Sequence, residues 1–386
     1  MPDLAYEIVY PRGGARLFRA LPDGAPALAM RPASFLYERI SGAVRSARTR
    51  RRRPLDVGAV VVSVGNLEVG GNGKTPFVIH LVNELGRRGY RPLVASRGYK
   101  SAAETLSAVT VLAPRSAELK GRVSTAVRVL RDDAGGLAEA IGDEGAMVLA
   151  RCPGVPLAFS GDRRRAVEVG CALFEPTHVV LDDGFQTWGV ERDVDIVLLD
   201  AERPLGNGRI LPSGSLRERP NALRRADVVG FNALERDEHL AGLTRWVCET
   251  VGRPIPVFGV RRHLSFLEPP SGEPAERPAG QMAVLSSVGR PHRFETSLAA
   301  AGITIGLSLR FPDHFRYARD DIQRIDALLN GRGIDRLVTT EKDWVKLRDV
   351  GPTRARVWVA RLELALVGID PVRTCEKPQA SPAASA

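Results

Sequence analysis

The run Val60-Val61-Val62-Ser63-Val64-Gly65-Asn66-Leu67-Glu68-Val69-Gly70-Gly71-Asn72-Gly73-Lys74-Thr75-Pro76 is built from residue types that handle phosphate. Glycines let backbone N–H groups approach phosphate oxygens. A lysine ammonium neutralises the β and γ oxygens, and a threonine hydroxyl can hold Mg²⁺. The chemistry indicated is nucleotide binding with transfer or hydrolysis of a γ-phosphoryl group. The spacing departs from G-x-x-x-x-G-K-[ST] at Glu68, where the first glycine would stand; Gly70 and Gly71 would supply the flexibility instead. The competing reading is a glycine-rich turn that binds nothing. The flanks weigh against it: residues 57–64 read as a buried strand, and Phe77, Val78, Leu81, Val82 and Leu85 recur at helical spacing beyond Pro76.

A second signal is Val179-Val180-Leu181-Asp182-Asp183-Gly184-Phe185-Gln186, an apolar strand ending in paired acids. A carboxylate at such a strand end holds Mg²⁺, directly or through water. Adjacent strand residues point in different directions, so both acids need not reach the metal; a turn with two solvated aspartates is the alternative. Three further polar clusters sit at strand ends. Gly142-Asp143-Glu144 precedes an apolar run, Phe311-Pro312-Asp313-His314-Phe315 follows one, and Thr339-Thr340-Glu341-Lys342-Asp343 follows another. Ligands gather outside the carboxyl ends of parallel strands, although each cluster alone also reads as a capping or solvated group. An Asp beside a His suits positioning and proton transfer from a hydroxyl.

These groups need a scaffold that brings distant segments together. Strands are expected at 91–96, 146–150, 155–159, 177–181, 194–199 and 226–231, with a helix from near Asp162 and a poorly patterned stretch from 100 to 142. Apolar strands alternating with helices imply a parallel sheet covered on both faces. Near Pro254 the pattern changes. Residues 257–260 and 264–267 read as linker strands, and a second α/β unit runs from Met282 to about Leu366. The expected fold is α/β: a P-loop-containing three-layer α/β/α domain with a smaller second α/β/α domain, joined by a two-stranded linker. The expected division is 1–53 an amphipathic, basic membrane-associating segment, 54–255 the P-loop domain, 256–268 the linker, 269–370 the second domain and 371–386 a disordered tail.

Composition narrows the class. The 386 residues carry a net charge of +10. Residues 1–53 hold eleven arginines against Asp3, Glu7, Asp23 and Glu38, and so contribute +7 of that total. The dense run Arg45, Arg48 and Arg50 to Arg53 would attract polyanions or an anionic membrane face, or is a solvated helix face. Leu36, Ile40 and Val44 form one helical stripe with Phe35 and Tyr37 beside it. An interfacial membrane helix and a core-packing helix fit this pattern equally. Cys152, Cys171, Cys248 and Cys375 show no metal or redox spacing, as expected of thiols in a reducing compartment. No apolar run is long enough to span a bilayer, and no secretory pattern opens the chain. Two other classes fit the sequence less well. A GTPase switch needs Asn-Lys-x-Asp after a strand, and Asn232-Ala233-Leu234-Glu235 lacks the Lys and the Asp. A nucleic-acid-associated ATPase would interleave aromatics with its arginines, and here only Phe35 and Tyr37 lie near.

Taken together, four segments resemble the tetraacyldisaccharide 4′-kinases of the lipid A pathway. They are Ser63 to Leu67 with Gly70 to Pro76; Leu181 to Gln186; Gly206-Asn207-Gly208-Arg209-Ile210-Leu211-Pro212 with Leu216-Arg217-Glu218; and Thr339 to Asp343. Ser96-Arg97-Gly98-Tyr99, Gly142 to Glu144 and Asp313 to Phe315 occur in the same order, so the resemblance runs from about Leu36 to Leu347. The family loop also lacks the first consensus glycine. Departures are Thr187 where the family has His, Ser215 where it has Pro, Gly145 for the Pro after Gly-Asp-Glu, a longer 100–141 segment and the extra tail.

The resemblance implies an ATP-dependent kinase acting on the 4′-hydroxyl of a lipid A disaccharide 1-phosphate. Glu68, Val69, Gly70, Gly71, Asn72, Gly73, Lys74 and Thr75 would bind ATP, with Lys74 on the β/γ oxygens. Thr75, Asp182 and Asp183 would organise Mg²⁺. Asp143 would act as base toward the hydroxyl and His314, from the second domain, would position it, so that domain closure completes the site. The resemblance also implies a monomer, without nucleic acid, held peripherally at the cytoplasmic face of the bacterial inner membrane by its N-terminal helix.

Overall fold

Alternation along Val60–Gly65 sets the layers. Val60, Val62 and Val64 pack with Phe77, Leu81 and Leu85, whereas Val61 points to the opposite face with Ala166, Val167 and Leu173. The strand is buried along its whole length, as a parallel strand with helices over both faces must be. The computed structural model describes residues 6–7, 30–51, 55–70, 73–99, 101–114, 119–120, 126–131, 137–269, 273–351 and 353–376.

The strands are β1 (Tyr6–Glu7), β2 (Val60–Gly65), β3 (Pro92–Ser96), β4 (Val109–Ala113), β5 (Val127–Arg131), β6 (Leu157–Phe159), β7 (His178–Asp182) and β8 (Val194–Asp200). They continue with β9 (Val228–Asn232), β10 (Val257–Glu268), β11 (Glu273–Ala275), β12 (Gln281–Ser286), β13 (Thr304–Arg310), β14 (Arg336–Thr340) and β15 (Arg356–Gly368). All belong to one sheet in the order β1-β13-β12-β14-β15-β10-β9-β8-β2-β7-β3-β6-β4-β5, with β11 against β10. The first half, β9-β8-β2-β7-β3-β6, is parallel throughout. So is the second half, where β12 lies between β13 and β14. Between the halves, β10 and β15 form a long antiparallel ribbon from Phe258↔Gly368 to Leu267↔Val359. The second half has its own core, in which Leu285, Leu309, Ile325 and Leu337 are buried together.

This topology places the chemistry. β2 lies between β7 and β8, and Val64 is registered opposite Asp182. The loop after β2 and the acids ending β7 are therefore neighbours at one edge of the sheet, at its carboxyl ends.

Several expectations are corrected. Residues 146–150, read as a strand, lie in the helix Leu137–Arg151; an apolar run that short has no period that distinguishes the two states. The strands read at 257–260 and 264–267 are one continuous β10, whose partner is β15, about a hundred residues later. The poorly patterned 100–142 stretch contains β4, β5 and a short helix, Ala102–Thr105. Residues Pro371–Cys375, assigned to the tail, form a helix that buries Val372 and Cys375. Residues 377–386, most of that tail, lie outside the described residues, as do 1–5 and 8–29 of the N-terminal segment.

Candidate active site

The phosphate-type loop ends on Gly73, whose φ of 72° suits glycine, and the helix Lys74–Arg87 follows at once. A Cβ at Gly73 would clash with Asn232 Nδ2, so the loop is also seated against the end of β9. The helix packs inward through Phe77, Val78, Leu81, Val82 and Leu85. Its unpaired first-turn N–H groups and positive dipole end favour an anion. Gly71 and Asn72 lie outside the described residues. Val69 is half exposed at the loop. The Glu68 side chain is buried and accepts a 2.6 Å bond from Ser215 Oγ, so its carboxylate is engaged away from the loop's open side.

The two acids after β7 have different partners. Thr75 Oγ1 donates to Asp182 Oδ2 at 3.2 Å, while Asp182 Oδ1 is buried with no partner among the described residues. Burial, with Glu144 and Asp183 nearby, pushes Asp182 up to about 6 against Lys74 and Arg163. Asp183 has a φ of 56°, unusual for a non-glycine residue. That turn aims its carboxylate at Arg217 Nη1, at 2.8 and 2.9 Å, and at Lys74 Nζ, at 3.4 Å. Burial would raise Asp183, but Lys74, Arg217 and Arg163 hold it far below the usual carboxylate range. Arg163 Nη2 donates to the Asp182 carbonyl, and burial lowers that guanidinium to about 10. Asp182 is thus the acid with a free oxygen beside a hydroxyl, and Asp183 the one committed to cations.

The third group comes from both halves. Gly142, at φ 85°, breaks the helix Leu137–Arg151, so Asp143 opens a new helical segment. A Cβ at Gly142 would lie 3.2 Å from the Tyr99 carbonyl. His314 also has a positive φ, 63°, and its Nδ1 lies 3.1 Å from both Asp143 oxygens. Two non-glycine residues in the left-handed region, both in the cleft, are strained positions of the kind found at functional sites. The helix Glu341–Val350, capped by Thr340 Oγ1 on Asp343 N–H, brings two lysines to the same carboxylate. Lys342 Nζ lies 3.6 Å and Lys346 Nζ 3.7 Å from Asp143 Oδ2. Lys342 also approaches His314 Nε2 at 3.4 Å and Asp313 at 3.1 Å. An ammonium only donates, so it leaves Nε2 as the acceptor and places the imidazole proton on Nδ1, toward Asp143. Lys346 is itself anchored by the fully buried Asp343 at 3.0 Å and by Ser287 Oγ at 2.6 Å. Burial opposes ionisation of Asp143, yet the His314 bond and the two lysines hold it well below the ordinary range.

The Gly206 to Glu218 segment joins these parts. Ser215 holds Glu68, Arg217 holds Asp183, and Ser34 of the helix Arg31–Arg51 bonds Ser213 Oγ at 2.7 Å and the Ile210 carbonyl at 3.0 Å. Arg219 pairs with Glu38 of the same helix. Phe35, Leu36 and Ile40 on that helix are more than half exposed. Val44 and the arginines beyond it have no described side chains.

One cleft of about 1430 Å³ runs between the halves, lined by Lys74, Thr75, Asp182, Glu144, His314 and Lys342 among others. The structure thus brings together Lys74, Thr75, Asp182, Asp183, Asp143 and His314. Lys342 falls in the candidate cluster Thr339 to Asp343, whereas Lys346 has no counterpart in the sequence expectations, although its i, i+4 spacing from Lys342 puts both on one helical face. Arg163 has no counterpart either, and residue type and spacing give no signal for it.

The family model described as tetraacyldisaccharide-1-P 4′-kinase (LpxK) matches residues 26–374. A tetraacyldisaccharide 4′-kinase of Anaeromyxobacter dehalogenans (strain 2CP-C) is 35% identical over 347 residues, covering 86% of this chain and 81% of the relative. One of Halorhodospira halophila is 33% identical over 354 residues, covering 89% and 90%. Among solved structures, LpxK from Aquifex aeolicus in complex with ATP superposes with a TM-score of 0.62 at 25% identity, covering 89% of this chain and 95% of that one. On these matches the chain belongs to the tetraacyldisaccharide-1-P 4′-kinase family.

Proposed function

We propose that the cleft performs the family's reaction as follows: ATP-dependent transfer of a phosphoryl group to the 4′-hydroxyl of a tetraacyldisaccharide 1-phosphate, giving lipid IVA. The observation that carries this reading is that a phosphate-type loop and an Asp–His pair, from different halves, meet in one cleft. The loop from Gly70 to Thr75 and the start of the following helix hold the ATP phosphates. Lys74 neutralises the β/γ oxygens; its contact with Asp183 keeps the ammonium at the loop until the nucleotide arrives. The hard-oxygen donors Thr75 and Asp182 suit Mg²⁺, and the unpartnered Asp182 Oδ1 is the observation that supports them. Bound there, Mg²⁺ would offset charge on the phosphates. Asp183 acts indirectly, by orienting Lys74 and Arg217.

Asp143 accepts the proton of the 4′-hydroxyl, and His314 Nδ1–H orients its carboxylate. A carboxylate held so far below its usual range is a weak base. That suits a loose phosphoryl-transfer transition state, in which proton transfer comes late and positioning dominates. Lys342 and Lys346 keep Asp143 ionised and anchor it to the second half. The segments on either side of β10 act as two lobes, so bringing them together sets the Asp143–His314 contact. The exposed Phe35, Leu36 and Ile40 lie in the interface of an anionic membrane, at the face where the lipid acceptor resides. Among the described residues no helix is long and apolar enough to cross a membrane.

The test is direct. Purified protein in detergent, given labelled ATP, Mg²⁺ and a tetraacyldisaccharide 1-phosphate, should yield a labelled bisphosphorylated lipid. Absence of that product, with nucleotide still bound, rejects the reading.

A further inference from the structure

We propose that Arg262, on the ribbon strand β10, contacts the phosphate chain of the bound nucleotide. This rests on the reading that the loop at Gly73 holds ATP.

Arg262 lines the cleft, and its Nε donates to Asn232 Oδ1 at 2.6 Å. Asn232 is the last residue of β9 and is almost fully buried; the same Oδ1 accepts the Ala233 N–H at 2.9 Å. Both side chains lie directly against the last glycine of the loop. A Cβ on Gly73 would come within 2.8 Å of Arg262 Nη2, besides clashing with Asn232. Neither Nη of Arg262 has a hydrogen-bond partner among the described residues.

The surroundings leave this positive charge under-compensated. The nearby carboxylate is Asp200 at the end of β8, and it is taken by Arg293 at 2.6 Å, with Arg290 at 3.7 Å. Two backbone N–H groups, of Glu202 and Arg203, also donate to Asp200. Two guanidinium groups, of Arg293 and Arg290, therefore already share the buried carboxylate nearest in influence to Arg262. Burial lowers Arg262 to about 10, and Asp200 only partly offsets it. A half-buried cation with free donors is costly unless an anion completes it. The anion this loop is built to receive is a phosphate chain, and a planar guanidinium matches phosphate oxygens through two parallel donors.

A guanine-reading Asn-Lys-x-Asp would begin at Asn232, where the Lys and the Asp are absent. In the structure Asn232 occupies that strand end, but it braces Arg262 and the loop.

Nucleotide affinity tests the assignment. Equilibrium dialysis with labelled ATP and ADP is run on the full chain in detergent, for wild type, Arg262→Met, Arg262→Lys and Lys74→Ala. Arg262→Met should weaken ATP and ADP binding by roughly 10- to 100-fold, as loss of a charge-assisted phosphate contact does. Arg262→Lys should recover part of that loss, because it keeps the charge. If Arg262→Met binds ATP like wild type while Lys74→Ala does not, the assignment is overturned and the loop reading stands. If neither variant loses affinity, the loop reading itself fails. If Lys and Met variants are equally weak, Arg262 only braces Asn232, which also overturns the assignment. Should Arg262→Met fail to fold, the lysine variant decides: affinity equal to wild type refutes a bidentate phosphate contact.

Discussion

In the proposed reaction Asp143 and His314 work as one unit, and a double-mutant cycle on turnover measures that. His314 Nδ1 is 3.1 Å from each Asp143 oxygen, and both side chains are nearly buried. A hydrogen bond to a charged partner is worth about 1.5–3 kcal/mol. If it is lost at the transition state, at about 1.4 kcal/mol per tenfold, His314→Ala should lower kcat roughly 10- to 150-fold. Asp143→Asn keeps the shape but removes the proton acceptor, which costs roughly 100- to 10,000-fold. Because His314 acts through Asp143, the double variant should turn over within about twofold of Asp143→Asn alone. The assay is initial rate with labelled ATP at saturating nucleotide and lipid, with ATP affinity measured separately. That affinity should change little, since neither residue is placed on a phosphate. Multiplying losses in the double variant would refute the shared role, and a neutral Asp143→Asn would place the base elsewhere.

Lys74→Ala should reduce transfer on the order of 100-fold or more while the protein stays folded, because an ammonium on the transferring group is worth several kcal/mol; a variant keeping a third of wild-type turnover would sink the loop assignment. Asp182→Asn should stabilise the metal-free protein at pH 8 and far less at pH 4. Burial pushes Asp182 up to about 6, so the folded chain carries its charge at a cost above that pH. The cost vanishes as pH falls toward the unfolded value near 4; it is on the order of 3 kcal/mol, read as the difference in urea midpoints. A lower midpoint at pH 8 would contradict the burial argument, and Mg²⁺-dependent transfer should be lost at both pH values. Leu36→Asp with Ile40→Asp should release the protein from anionic vesicles. Burying the two native side chains contributes roughly 3 kcal/mol together, about 100-fold in partition; unchanged co-sedimentation would exclude that helix as the lipid contact.

The parts legible in the sequence were those with local signatures. The all-apolar run before Gly65, the helical spacing after Pro76 and the acids closing β7 each follow from one window of chain. The division between Asp182 and Asp183 was not legible, because it depends on a positive φ at Asp183 and on Arg217 arriving from thirty-odd residues away. The Leu137–Arg151 helix was misread in its second half because Gly142 interrupts its period just where Asp143 must be presented. β10 looked broken because Arg261, Arg262 and His263 fall where it crosses the open ribbon, where only β15 flanks it. Arg262 belongs to the cleft through neighbours brought by the sheet order, and no local pattern marks it.

The ribbon of β10 and β15 is clamped at both ends. Its first residues are tied to β9 and Arg356 to Ala360 of β15 to β14, while Arg261 to Ser265 pair only with the facing strand. A strip held in this way behaves as a leaf spring. It bends and twists as a continuum, keeps its hydrogen bonds and stores a restoring force, unlike a hinge that swings freely about one residue. Arg262 lies on the bending portion, and His314 is carried by the lobe at its far end. On the proposed closure, a single flexure would gear the donor end of the cleft to the acceptor end: a motion that shifts Arg262 against Gly73 would also shift His314 against Asp143.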